Sequence, residues 1–125
     1  MAKAPVISVE PPNPSAMKVD TVDDYAKRGW AFFSIHQFDL SASDFNHVVT
    51  AEPENIDSWY GLGLALKGSG TTSQATDAFE KVLQLLHLVE DHQRANILGR
   101  LAKGQINQIK TGDWNLEKEI WKNVD

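Results

Sequence analysis

The sequence contains no cysteine, which excludes disulfides, thiol catalysis and zinc-thiolate sites. Basic charge is scarce as well: 12 Lys and Arg stand against 17 Asp and Glu, a formal net charge of -5. A nucleic-acid surface normally carries a basic stripe, so no nucleic-acid partner is expected. No stretch approaches the roughly 20 apolar residues of a membrane-spanning helix. The opening Met1–Val9 lacks the continuous apolar run of a signal peptide. A soluble, cytoplasmic protein without a membrane partner is the expectation. Proline is nearly confined to one end, with Pro5, Pro11, Pro12 and Pro14 making four of the five.

What remains is ordinary for a globular protein: 42% apolar and 23% charged residues in a chain of 125, a length that suits one domain. Residues 1–20, rich in proline, read as an extended or disordered arm in which Val6–Val9 could dock as an extended peptide. Residues 21–125 carry helical periodicity throughout and predict an all-α domain. Thr21 or Asp23 caps a first helix with Tyr25, Gly29, Phe32 and Ile35 at helical spacing, ending near His36. Ser41 or Ser43 opens a second, with Phe45, Val48 and Val49, which stops before Pro53. Asn55 or Asp57 caps a third, broken at Gly68–Gly70. A fourth starts at Thr71, Thr72 or Ser73 and runs to about Leu88. Its Ala75, Phe79 and Val82 should face Trp59, Leu62 and Leu66, with Gly63 and Ala75 small at the closest approach.

One constant shift along the chain superimposes the second helix pair on the first. Tyr25 falls on Trp59, Gly29 on Gly63 and Phe32 on Leu66; Ser41 falls on Ala75, Phe45 on Phe79 and Val48 on Val82. The aromatic, Leu-Gly, Ala and Phe positions, with Pro53 closing the first copy and a period of about 34 residues, resemble the tetratricopeptide repeat. The resemblance covers about Val22–Leu88. Arg28 departs from it where the second copy has Leu62, as does Ser41 where Ala is usual, and the second copy ends on His87 instead of proline. The resemblance implies an α-solenoid with copies at about 22–55 and 56–89. Such arrays need about three units for a continuous core, so residues 90–125 should supply a degenerate third and capping unit. With two extra residues allowed, Leu62-Gly63 recurs as Leu98-Gly99. Ala95, Leu98, Ala102, Ile106 and Ile109 mark a helix over about 91–110, followed by a turn at Gly112-Asp113 and a short amphipathic helix with Leu116, Ile120 and Trp121.

Signs of chemistry are few. His36, His47, His87 and His92 show no i, i+4 metal spacing. Gly68-Ser-Gly70 lacks the lysine of a phosphate-binding loop, and the acidic pairs sit where helix starts favour them. No enzyme, metal or cofactor is expected. The resemblance implies instead a binding groove lined by the first helix of each pair. Its free face should follow Ala26, Trp30 and Phe33, then Tyr60, Leu64 and Lys67, then Asn96, Arg100 and Lys103. A partner peptide or helix with apolar side chains at one end and acidic groups at the other would suit it. The clamp with which chaperone-binding members grip a C-terminal carboxylate is absent, since Ala26, Trp30, Gly61 and Leu64 occupy the matching places. A small protein of this kind looks similar to bacterial secretion chaperones and assembly adaptors. The alternative is a structural subunit that forms a homo-oligomer through its groove or its repeat ends.

Overall fold

The structure, a computed structural model, describes residues 13–116. The Val6–Val9 stretch and the Ile120–Trp121 end of the expected terminal helix lie outside them. Among the described residues the chain is all-helical: α1 (Val22–Ser34), α2 (Phe38–Ala51), α3 (Ile56–Gly68), α4 (Thr72–Leu85) and α5 (His92–Thr111), with short 3-10 turns at Pro14–Ala16 and Leu86–Leu88. Each helix packs on the next, and α1 also touches α3. No described helix is long and apolar enough to cross a membrane.

Local chemistry sets the ends. The Thr21 hydroxyl accepts from the Asp24 amide, and the Asp24 carboxylate accepts from the Thr21 and Asp20 amides, a reciprocal capping box. These amide bonds hold the Asp24 carboxyl below its ordinary pKa. The cap therefore supports folding above the ordinary Asp range and is lost as pH falls through the lowered value. Asn55 caps α3 by accepting from the Ser58 amide, and Asp91 caps α5 by accepting from Gln93 and Arg94. α5 ends at Gly112, left-handed with φ 77°, as helix C-termini commonly do. The second helix begins at Phe38, not at Ser41 or Ser43, because His36 at φ 62° reverses the chain early. The Phe38 ring then settles 5.5 Å from that of Phe33.

Every boundary of the first helix pair recurs at the same shift in the second. Val22 and Ser34 are matched by Ile56 and Gly68, and Phe38 and Ala51 by Thr72 and Leu85. The reversal recurs too: His36 is matched by Gly70, at φ 84°. A non-glycine residue in this conformation costs about 1–2 kcal/mol, so His36→Gly should raise stability. The His36 ring stacks on Phe38 at 5.5 Å, which reduces the expected gain to about 0.5–1 kcal/mol, readable by urea unfolding.

The core repeats with the backbone. Phe45 and Phe79 are both fully buried. Phe45 faces Gly29, and Phe79 faces Gly63, at equivalent places in the two copies. Phe45 also receives Gly61, so the second pair is keyed onto the first. Tyr25 is stacked by His47 at 3.8 Å, and Trp59 is approached by Lys81 at 5.8 Å, again at matching positions.

The departures seen in sequence are compensated in place. The Ser41 hydroxyl, fully buried, donates to the Gly29 carbonyl at 2.7 Å. Arg28 donates two bonds to the buried Asp44, at 2.7 and 2.8 Å. Their counterparts in the second copy are Leu62 and Ala78, which share an apolar cluster. An ion pair has been exchanged whole for an apolar contact. Asp44→Ala alone should cost about 1–3 kcal/mol, because a half-buried guanidinium loses its partner. Arg28→Leu with Asp44→Ala should restore most of that loss, and a thermal-melting cycle of the four proteins measures it.

α5 starts slightly later than a third copy of the repeat would place it, and the extra length is taken up by the turn at Leu86–Leu88. Its Leu98, Ala102 and Ile106 join Phe79, Val82 and Leu85 in one buried cluster. Beyond Gly112 the chain folds back over α5. The Trp114 ring occupies the space where a side chain at Gly104 would stand, and its carbonyl accepts from the Asn107 side chain at 3.0 Å. At the other end, Pro14 is buried where the arm meets α1.

Candidate functional site

Helix α1 touches α3, and α3 is hydrogen-bonded to α5; six of the nine groove residues expected from sequence lie on α1 and α3. Trp30 is 38% exposed; its ring meets Phe45 edge-on at 4.8 Å and Phe33 at 6.1 Å. Phe33 is half-buried, held between Trp30 and Phe38. These two form one apolar patch, with an exposed indole over a rigid aromatic base. Ala26, half-buried, lies one turn before Trp30 on the same helix.

Tyr60, Leu64 and Lys67 form a second group, turned toward α5. The Tyr60 ring packs 5.5 Å from Phe79 and its hydroxyl accepts from the Gln105 amide at 3.2 Å. Leu64 packs on the same buried cluster as Phe79. The Lys67 ammonium donates to the side-chain oxygens of Gln105, at 2.6 Å, and of Gln108. Burial pushes the Lys67 pKa down. Its partners here are two neutral amides, so the charge is hydrogen-bonded without being neutralised. At the far end of the same seam, Arg94 Nη2 donates to both carboxylate oxygens of Asp57, at 2.5 and 2.6 Å. Asp57, a candidate cap in sequence, thus joins α3 to α5 instead.

Asn96, Arg100 and Lys103 are placed elsewhere. All three are exposed and line a depression of about 400 Å³ with Leu86, Ala95 and Gly99. Gln105, which faces Lys67, lies five residues beyond Arg100, about 140° around the helix. The structure therefore brings Lys67 to the α3–α5 seam and leaves Arg100 and Lys103 on another side of α5.

Gln105 is the member of the site that sequence reasoning missed. It is a buried polar residue lying three residues after Ala102 and four before Ile109, on the apolar stripe itself. A polar residue at a core spacing was the available signal. Among the described residues, no group of three or more His, Asp or Glu is placed to hold a metal ion. Comparison with protein-family models, with curated proteins and with solved structures returns no match.

Proposed function

We propose that this chain is a non-catalytic protein-interaction module, an adaptor or chaperone-like scaffold of the cytoplasm. It is built as an α-solenoid of tetratricopeptide-like helix pairs, two full copies followed by a degenerate third. The observation that carries this reading is the return of both helices of the first pair, end for end, in the second. A partner segment, extended or helical, lies along α1, α3 and α5. Its apolar side chains meet Trp30 and Phe33, and an acidic group approaches Lys67. An exposed aromatic on a rigid base suits recognition because it adds contact area with little loss of conformational freedom. An incompletely neutralised, partly desolvated lysine favours an incoming carboxylate.

A photo-crosslinking amino acid at position 30 or 64, in the native host, tests the surface. The same partner should be captured from both positions and not from exposed position 80 on α4. Equal capture from all three would remove the groove from the account.

A second reading, self-association, is favoured by Ile97, which is 58% exposed on α5. Sedimentation across the micromolar range decides it: a concentration-independent monomer would end this reading.

A further inference from the structure

We propose that the cleft between α2 and α4 is a second docking surface, which takes an amphipathic helix carrying basic side chains beside its apolar stripe. It lies on a different set of helices from the groove proposed above and does not depend on it.

The cleft encloses about 680 Å³. Helices α2 and α4 are the equivalent second members of the two pairs, and both pack on α3, which forms the floor. On that floor the half-buried Trp59 and Leu66 flank the buried Leu62 at i, i+3 and i+7, a low ridge about 10 Å long. The ridge is apolar because Leu62 replaces the arginine of the first copy. Ala78 replaces the aspartate, and as a small side chain in the wall it leaves the cleft wide. The same substitution that removed the Arg28–Asp44 pair from the second copy thus created an apolar floor.

The occupant's secondary structure follows from backbone chemistry. The walls and floor are helices whose amides and carbonyls are already paired within themselves. They offer side-chain contact but no ladder of free donors and acceptors. An extended peptide would leave its own backbone groups without partners here, whereas a helix satisfies them internally and contributes only its apolar face. A helix of two to three turns would cover a ridge of this length.

Its charge follows from the walls. Asp39 on α2 and Asp77 on α4 both line the cleft, and neither has an ion-pair partner among the described residues. Lys81, the basic side chain of the lining, is drawn over the Trp59 ring at 5.8 Å. One uncompensated carboxylate on each side favours lysine or arginine flanking the apolar stripe of the incoming helix.

The test uses the intact ¹⁵N-labelled chain and two model helical peptides of equal length, one of leucine and lysine, the other of leucine and glutamate. The Trp59 indole N–H, which donates to the Pro53 carbonyl at 2.7 Å, reports from the cleft floor, and the Trp30 indole reports from the groove. The cationic peptide should shift the Trp59 signal with saturation and leave Trp30 unmoved, and the acidic peptide should shift neither. Asp39→Lys with Asp77→Lys should weaken binding roughly tenfold. The charge-matched control, Glu90→Lys with Asp113→Lys, should change it less than twofold. Equal weakening by both double variants, a response confined to Trp30, or equal binding of the two peptides would overturn the proposal.

Discussion

Phe79→Ala is expected to remove about 3–5 kcal/mol of folding free energy, the usual loss for truncating a buried aromatic that its surroundings cannot refill. Phe79 is fully buried and lies where α3, α4 and α5 meet, against Gly63, Tyr60 and the cluster containing Leu98 and Ala102. No single helix can move in to close the void without releasing another contact. Small domains have only about 5–15 kcal/mol in hand, so the variant should melt far below the parent. Urea unfolding followed by circular dichroism measures the difference. Trp59→Ala should cost somewhat less, about 2–3 kcal/mol, since its indole packs against both core clusters but keeps one edge open at the cleft. Equal losses for the two variants would show that the core is not centred on Phe79.

Gly63→Leu should be of comparable severity, about 3 kcal/mol, through overpacking. Even a Cβ at Gly63 would stand 2.5 Å from the Phe79 ring, which is enclosed on its other sides. The matching glycine of the first copy is less tight: a Cβ at Gly29 would stand 3.2 Å from the Phe45 ring. Gly29→Ala should therefore be nearly neutral, its mild crowding offset by the gain of about 1 kcal/mol in helix propensity. Gly63→Ala should destabilise by about 1–3 kcal/mol. The clash is with one named ring, so Phe79→Leu should cost less in the Gly63→Ala background than alone. The coupling energy from that double-mutant cycle tests the contact directly.

Much of the fold is legible in the sequence because its signals are local. Helical spacing, capping residues and the match of Tyr25 to Trp59 and Phe45 to Phe79 place α1, α3 and α4 and their apolar faces. The start of α2 is not legible, since Phe38 is no cap and His36 is no ordinary turn residue. Only its alignment with Gly70 betrays the left-handed backbone there. Arg28 looks like a defect when taken alone, because its partner Asp44 sits on another helix. Advancing both by one repeat shows the exchange for Leu62 and Ala78. The candidate site is less readable than the fold. Helical spacing puts Tyr60, Leu64 and Lys67 on one face and suggests that the face is free. Tyr60 and Leu64 instead pack on the Phe79 cluster and Lys67 is bonded to α5, since spacing carries no information on what stands opposite. The Gln105 amide, and the separation of Lys67 from Arg100, arise from the rotation of α5 about its own axis. The cleft is hidden for a similar reason. Trp59, Leu62 and Leu66 read as a closed seam, and only the spacing between α2 and α4 leaves that seam partly open.

That the exposed Trp30 of α1, with the half-buried Phe33 and Tyr60, recognises a protein segment is best tested by affinity. The partner captured from position 30 is purified and titrated against the parent chain and against Trp30→Ala with Tyr60→Ala. At least a tenfold loss of affinity is expected, while the Phe45 and Phe79 core keeps the helical circular dichroism of the parent. An unchanged dissociation constant in a variant that remains folded would contradict it.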